Sequence, residues 1–225
     1  TTPVYQPSAA AALTNAAGAT IAISANGSAI GSTAANANAS VNTAIWQNAS
    51  ATDGVASTTL TNNGAINITA TATGAGAGAT AAAPAAAAAP AAVPVVGNST
   101  ANAIVNTAFL QGDGEEGEDA PSALVAALPA GADGVSHAFV NNSQVVVGAT
   151  ATTTATGVAT ANAEVNGAFE QNGTALNVAL DWTNAKGASF TVPVTATATG
   201  DDADADADAF GVSQYASATG TFPVD

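Results

Sequence analysis

The side chains of this sequence that could carry chemistry are mainly carboxylates, and many of them are clustered in two short runs. The segment DDADADADA carries aspartate at every second position, and alternate residues of an extended strand lie on one face, about 6.6 to 7 Å apart. Like charges at that spacing repel one another, and a hard cation with oxygen ligands such as Ca²⁺ would relieve the repulsion. The cation candidates in this run are Asp202, Asp204, Asp206 and Asp208.

A second acidic run lies in the segment GDGEEGEDA. Its cation candidates are Asp113, Glu115, Glu116, Glu118 and Asp119. Neither run has the ligand spacing of an EF-hand loop or of a nonapeptide Ca²⁺ repeat. Two interpretations therefore stay open, a Ca²⁺ site and a solvated acidic surface, and no other cofactor is expected.

The rest of the composition excludes most catalytic chemistry. The 225 residues include one Lys or Arg, one His and no Cys, and the formal net charge is −15. Without a basic patch that could neutralise phosphates, nucleic-acid binding is excluded, and without Cys there is no thiolate nucleophile or sulfur-ligated metal site. His137, beside Ser136, lacks the signature of a catalytic triad and is predicted to be a loop or strand-edge residue. We therefore expect a protein that is not an enzyme.

Two further patterns could carry surface chemistry. Sequons of the N-x-Ser/Thr type mark possible glycan acceptors if the host has the machinery; they are Asn26, Asn38, Asn48, Asn67, Asn98, Asn141 and Asn172. Thr-x-Thr triplets resemble the threonine ladders of ice-binding proteins; they comprise Thr69, Thr71 and Thr73, Thr152, Thr154 and Thr156, and Thr195, Thr197 and Thr199. Ordinary strand threonine is the alternative interpretation of these triplets.

Two motifs alternate along the chain and must position these residues. The first reads ANASVNTAIWQN in its first copy and is marked by Gln47, Gln111, Gln171 and Gln214. The second reads LTNNGAINITATATG in one copy and is marked by Asn15, Asn62, Asn141 and Asn184. Their strict alternation defines a repeat unit of about 43 residues.

Two insertions of different composition interrupt the units within what we predict to be a single domain, residues 1–225. Residues 75–97 are rich in Ala and Pro, and residues 112–134 are acidic. Both are predicted to be surface loops, because surface connections tolerate such insertions and strands do not. The apolar run at 81–96 is too short and too interrupted by proline to span a bilayer, so no membrane insertion is expected.

The alternation of side chains predicts an all-β fold. Ile66, Ile68 and Ala70 alternate with Asn67 and Thr69, which is the period of a half-buried strand. We favour a repeat β-solenoid of about four 43-residue units, each wound as two coils of about 21 residues, because small inward residues suit a narrow coil and asparagine at a fixed position can form an amide ladder. With two coils per unit, the threonine triplets would lie on every second coil, about 9.5 Å apart. The alternative is an antiparallel β-sandwich subunit with strand donation.

The two motifs resemble known families of exported proteins. The alternation of LTNNGAINITATATG with ATANAEVNGAFEQNG is similar to the Ala/Thr/Asn-rich repeats of surface passengers and adhesins of alphaproteobacteria. The N-x-A-x-V…Q pattern also resembles the curlin repeats of secreted fibres, although the unit here is longer and carries insertions. The resemblance implies an exported, structural protein at the cell surface or outside the cell. Neither family has a catalytic residue to transfer.

Both ends of the sequence stop at about the same phase of the unit, since Gln6 and Gln214 occupy matching places. We therefore expect the chain to be its own partner, with copies joined head-to-tail through strand pairing into a filament that serves attachment or a biofilm matrix. Residues expected to fill gaps in the core or between subunits are Phe109, Phe169, Trp46 and Trp182. The chain begins with Thr1, which predicts a removed leader. The alternatives are a Ca²⁺-binding or ice-binding module and a fragment of a longer passenger.

Overall fold

A computed structural model describes residues 8–50, 55–76, 97–112, 134–175 and 177–218. These residues form strands and turns without a helix, so none of them provides a helix that could cross a membrane. The strands are β1 (Ser8–Asn15), β2 (Thr20–Gly31), β3 (Ala34–Gln47), β4 (Val55–Asn62), β5 (Ala65–Gly76), β6 (Asn98–Gln111), β7 (Gly134–Asn141), β8 (Gln144–Thr154), β9 (Val158–Val165), β10 (Phe169–Ala175), β11 (Asn177–Asn184), β12 (Ser189–Thr191), β13 (Val194–Thr199), β14 (Asp202–Ala209) and β15 (Val212–Ala218).

The strands form three parallel sheets. The first sheet has the order β1-β4-β7-β11, and the second has the order β2-β5-β8 with β12 and β13 both paired to β8. In the third sheet β3 pairs with β6, and β6 pairs with both β9 and β10, which lie one after the other along it. β14 then pairs with β9, and β15 pairs with β10. Every pairing between the described strands is parallel. The all-β prediction is confirmed, and the antiparallel sandwich alternative is wrong.

The chain visits the first, second and third sheets in turn and then returns to the first; we call one such circuit a pass. Asn15 lies on the first sheet and Gln47 lies on the third sheet of the same pass. The two motifs therefore belong to one pass, and the expectation of two coils of about 21 residues per unit is wrong. The strands of the first pass, 8, 12 and 14 residues long, already occupy most of one unit.

The alternation of side chains explains why these segments are strands. In β5, Ile66, Ile68, Ala70 and Ala72 are buried, while the residues between them stay partly exposed or exposed. The strands in the middle of the stack thus bury one face, and the buried faces of the three sheets meet in the interior. The same pattern recurs in β6 and β9.

The core narrows where the second and third sheets meet. A Cβ atom at Gly27 would clash with the backbone carbonyl oxygen of Asn38, and one at Gly76 would lie 2.6 Å from the carbonyl oxygen of Asn98. Only glycine fits where the backbones are this close, and the neighbouring inward positions of β2, β3 and β5 are mostly alanine. Larger side chains lie nearer the first sheet, where the rings of Phe139 and Phe169 pack 4.7 Å apart between centroids.

The predicted insertions fall at corners between sheets. The strand before the first insertion ends at Gly76 and the next begins at Asn98; for the second, the corresponding residues are Gln111 and Gly134. The strands on both sides keep their register, as Ala34 pairs with Asn98 and Gly31 with Gly76. The interiors of both insertions lie outside the described residues.

Candidate functional site: the two end layers of the stack

Both ends of the stack present strands that are paired on one side only within the described residues. The first end layer consists of β1, β2 and β3, which pair with β4, β5 and β6 respectively. The last end layer consists of β11 to β15, which pair with β7, β8, β9 and β10. The free edge of a strand carries a row of N–H and C=O groups that can pair with another strand.

The apolar core is only partly covered at both end layers. In the middle of the stack, inward side chains such as Ile66, Ile68 and Val147 are fully buried. The partly buried side chains that pack against this core separate into two sets: Leu13, Ile21, Ile23, Ala25, Ala29 and Ala44 in the first end layer, and Trp182, Phe190, Val192, Val194, Ala196 and Ala198 in or between strands of the last. One further layer on either end would cover them.

The inward side chains form columns that run from one end layer to the other. Leu13, Leu60, Phe139 and Trp182 occupy successive positions of one column on the first sheet. The indole of Trp182 stacks on the ring of Phe139 with centroids 6.2 Å apart, and it makes an edge contact with Phe190 at 5.7 Å. The indole Nε1 of Trp182 is buried and has no hydrogen-bond partner in the described part of the chain. Trp182 thus lies at an end layer, where it was expected to serve assembly.

The marker asparagines form an amide ladder, which confirms the expected stacking; Asn15, Asn62 and Asn141 are buried, and Asn184 at its end is exposed. The Nδ2 of Asn15 donates to Oδ1 of Asn62 at 2.8 Å, Asn62 donates to Asn141 at 2.8 Å, and Asn141 donates to Asn184 at 2.7 Å. Each of the first three amides also donates to a backbone carbonyl of the next pass. The donors of this ladder therefore all point toward the last end layer.

The marker glutamines form a second ladder that runs the opposite way. The Nε2 of Gln111 donates to Oε1 of Gln47 at 2.9 Å, Gln171 donates to Gln111 at 2.8 Å, and Gln214 donates to Gln171 at 2.5 Å. Gln47, at the start of the ladder, donates to the carbonyl oxygens of Thr59 at 3.0 Å and of Ala11 at 3.5 Å. The last end layer therefore offers an amide donor at Asn184 and an amide acceptor at Gln214, and the first end layer offers the reverse at Asn15 and Gln47.

The acidic run at 202–208 forms β14, at the edge of the third sheet in the last end layer. Its strand is exposed along its whole length, and Asp204, Asp206 and Asp208 lie beside Thr160, Asn162 and Glu164 of β9. Among the described residues, no three acidic or histidine side chains come together as a metal-binding group. The second acidic run, from Asp113 to Asp119, lies outside the described residues.

Phe109 and Phe169 are core residues rather than assembly residues. Both are fully buried and pack on each other with ring centroids 6.0 Å apart, so they fill the core, which is one of the two places expected for them. Trp46 differs, because it lies on β3 in the first end layer, is 61% exposed, and donates from its Nε1 to the carbonyl oxygen of Gly112 at 3.3 Å. Trp46 lies in the first pass, whereas the two phenylalanines lie in middle passes. An alignment of the repeats could have shown this difference.

His137 lies inside the fold, so the prediction of a loop or strand-edge position is wrong. It is 3% exposed on β7, between β4 and β11, and its Nδ1 is 2.8 Å from the hydroxyl oxygen of Thr58. It precedes the marker Asn141 by four residues, as Thr58 precedes Asn62. That spacing places both on the inward face and could have revealed the burial.

The sequon asparagines fall into two groups. Those that are exposed or partly exposed are Asn26, Asn38, Asn48, Asn67, Asn98 and Asn172. Asn141 is fully buried, and its side-chain nitrogen donates to Asn184 and to the carbonyl oxygen of Ser189. A glycan on Asn141 would break the amide ladder, so this candidate is wrong for the folded chain.

Hydroxyl and amide side chains form two full columns on the outer face of the second sheet, between columns that also contain Ala22, Val146, Ile30 and Ala75. Two central columns are Asn26–Thr71–Thr150–Thr195 and Ser28–Thr73–Thr152–Thr197. The columns connect consecutive passes, so neighbours are about 4.7 to 4.9 Å apart and the expected spacing of about 9.5 Å is wrong. Thr195, Thr197 and Thr199 pair with Thr150, Thr152 and Thr154. The triplet expected from the sequence began two residues later, at Thr152.

Comparison with known proteins gives no match to a protein-family model, to a curated protein or to a solved structure. The end layers and the outer face of the second sheet are therefore the features on which a function can be proposed.

Proposed function

We propose that this protein is a structural subunit that stacks head-to-tail, last end layer on first end layer, into a continuous β-sheet fibre. In this proposal the chain is a solenoid of four passes, and the fibre lies outside the cell, where it serves attachment or matrix building as a filament or surface adhesin. The observation that carries the proposal is that, within the described residues, the core, the sheets and the amide ladders reach two end layers with complementary chemistry.

Apolar contact supports stacking in this direction. Continued columns would place Leu13 of one copy on Trp182 of the next and Ile21 on Phe190. Fully burying a large apolar side chain contributes about 1.5–3 kcal/mol, and the side chains of both end layers are still partly exposed. Strand pairing along three sheet edges would add backbone hydrogen bonds to each junction.

The amide ladders support the same polarity. In a head-to-tail junction, Nδ2 of Asn184 can donate to Oδ1 of Asn15, and Nε2 of Gln47 can donate to Oε1 of Gln214 in place of its 3.5 Å bond to the carbonyl oxygen of Ala11. In a head-to-head junction, neither ladder would continue with the same direction of hydrogen bonds. Buried amides without partners are costly, so the ladders favour one orientation.

The corners of the end layers also match in shape. The corner after Asn15 and the corner after Asn184 both turn through a glycine with positive φ, at 76° for Gly18 and 89° for Gly187. Each is closed by a similar backbone hydrogen bond, 3.0 Å from Ala19 to Ala16 and 2.9 Å from Ala188 to Ala185. Corresponding corners in the middle passes are two residues shorter, as from Asn62 to Ala65. The first and last passes are therefore alike where they would meet.

Charge favours the same contact. Continued register would place Asp204 and Asp206 of β14 opposite Asn36 and Asn38 of β3, which are neutral. Two last end layers in contact would instead place one aspartate row beside another. The net charge of −15 also makes copies repel, so assembly should require salt that screens this repulsion.

The experiment compares two substitutions on the same strand. Ile23→Asp places a charge on the inward face of β2, where Ile23 is partly buried in the first end layer, and Ile30→Asp places it on the outward side, where Ile30 is 88% exposed. Negative-stain electron microscopy and sedimentation at about 0.15 M salt should show filaments for the unsubstituted chain and for Ile30→Asp, and dispersed subunits for Ile23→Asp.

A mixing experiment separates blocked assembly from failed folding. Ile23→Asp keeps an intact last end layer, so added in small amounts to the unsubstituted chain it should shorten the filaments. Far-ultraviolet circular dichroism should report the same β-structure for both variants. Dispersed monomers of the unsubstituted chain under screening salt, or normal polymerisation of Ile23→Asp, would contradict the proposal.

A further inference from the structure

The outer face of the second sheet carries two adjacent columns of neutral hydrogen-bonding groups, a grid of eight positions that the assembly does not use. We propose that this face binds the surface of an ice crystal, with the hydroxyl columns holding water molecules in lattice positions. The face lies along the side of the stack rather than on an end layer, so this inference does not depend on the proposed fibre.

The grid is regular in two directions. Along each column, neighbouring strands are about 4.7 to 4.9 Å apart, and along each strand, alternate residues are about 6.6 to 7 Å apart. The register of β2, β5, β8 and β13 does not shift across the sheet: Asn26 pairs with Thr71, Thr71 with Thr150, and Thr150 with Thr195. A crystal surface also repeats in two directions at spacings of a few ångströms, and only a grid can match it at many points together.

The groups on this grid are available to solvent. Thr150 and Thr195 are exposed and Thr71 is partly exposed. Their hydroxyls make no hydrogen bond with any residue in the described ranges. Each hydroxyl can both donate and accept, so it can join a water lattice whichever way the neighbouring water is oriented.

The side chains of the grid are held in place. Threonine is branched at Cβ and has few χ1 rotamers, so little conformational entropy is lost when it binds. The opposite face of the same strands is packed in the core, where Ile68, Val147 and Ala149 are fully buried. The hydroxyls and methyl groups of the grid therefore project from a supported surface.

Charge distinguishes this face from the other long sheet. The outward positions of β2, β5, β8, β12 and β13 hold only neutral residues, whereas the third sheet carries Glu164 and Glu170 and the aspartate row of β14. Ice is a neutral lattice of donors and acceptors, and a fixed charge with its hydration shell does not fit into it. A neutral grid beside an acidic sheet therefore marks one face for such a ligand.

The test uses matched substitutions on the two faces. Thr150→Tyr places a bulky side chain in the middle of the grid, and Thr160→Tyr places the same side chain at an outward position of β9 on the third sheet. Thermal hysteresis and inhibition of ice recrystallisation are measured for the full chain at low salt, where the fibre should not form. We expect both activities for the unsubstituted chain and for Thr160→Tyr, and loss of both for Thr150→Tyr with unchanged circular dichroism.

Three outcomes would overturn the inference: no hysteresis and no recrystallisation inhibition by the unsubstituted chain, equal loss in the two variants, or activity retained by Thr150→Tyr and by a second variant, Thr71→Tyr. Sedimentation with microcrystalline cellulose tests another regular hydroxyl surface. Binding to cellulose without any effect on ice is a case of the first outcome and would assign the grid to a polysaccharide. Filament formation at higher salt is scored separately, so failure of the ice test leaves the proposed fibre unaffected.

Discussion

Replacement of Phe139 by alanine should remove a large part of the stability of the folded chain. The side chain is fully buried, and its ring lies 4.7 Å from Phe169, 5.7 Å from Phe109 and 6.2 Å from Trp182 between centroids. These rings belong to different strands of the first and third sheets, so a cavity at Phe139 loosens the contact between the two sheets. The neighbouring backbones are held by strand pairing on both sides and cannot collapse into the space.

The expected loss in the free energy of unfolding is about 3–5 kcal/mol, the range for a buried phenylalanine cut back to alanine. Domains of ordinary size are stable by only about 5–15 kcal/mol, and a loss of this size lowers the melting temperature by roughly 6 to 20 °C for a chain of this length. Urea unfolding followed by tryptophan fluorescence measures the change, because Trp182 stacks on Phe139.

Phe210→Ala is the matched control, since Phe210 lies in the last end layer and is 54% exposed. The control should change the free energy of unfolding by less than about 1 kcal/mol, because most of its side chain already contacts water. Equal effects of the two substitutions, or a loss below about 1 kcal/mol for Phe139→Ala, would refute the placement of the core.

Three further predictions concern single positions. Burial raises the pKa of the Glu170 carboxyl above its ordinary value, so Glu170 should cost stability as the pH rises through its folded-state pKa; Glu170→Gln should remove this pH dependence and stabilise the chain at neutral pH, as measured by melting temperature from pH 4 to 8. Gly27→Ala should lower stability strongly because its Cβ would clash with the Asn38 carbonyl oxygen, whereas Gly211→Ala, which meets nothing within 4 Å, should be tolerated; thermal melts compare the two. Gln111→Ala removes ladder bonds on both sides and should cost about 2–4 kcal/mol by urea unfolding, since buried amide partners are left unmatched.

Much of the strand pattern could be predicted from the sequence, because period two is a local property. The alternation at Ile66, Asn67 and Ile68 predicts one buried and one exposed face, and β5 has both. The recurrence of asparagine at one phase likewise predicts an amide ladder, and the ladder from Asn15 to Asn184 is present.

The winding of the repeat could not be predicted, because a sequence period fixes the distance between equivalent residues but not the number of turns between them. A unit of about 43 residues fits two short coils or one long one equally well. The choice of one long coil depends on the close approach of the second and third sheets, where Gly27 and Gly76 allow backbone contact. The expectation of two coils per unit also doubled the distance expected between neighbouring threonines of one column.

The candidate sites could be predicted only in part, because their roles depend on which pass a residue belongs to. Phe109 and Phe169 are interior members of a column, whereas Trp46 and Trp182 lie in end layers. Asn141 carries a sequon, yet its place in the middle of the ladder buries it. A motif shows which residues share a column, but which of them lie in an end layer is known only from the order of the passes in the stack.

The central claim is that the stack continues from one copy to the next, and the axial rise of the filament tests it most directly. Four passes at about 4.8 Å each predict a rise of about 19 Å per subunit, with strands perpendicular to the filament axis and no gap at the junction. Helical reconstruction by electron cryomicroscopy measures this rise, and a rise near 19 Å with continuous density through Trp182 and Leu13 is the predicted result. Filaments in which subunits join side by side, or whose rise departs from four strand spacings, would contradict the account.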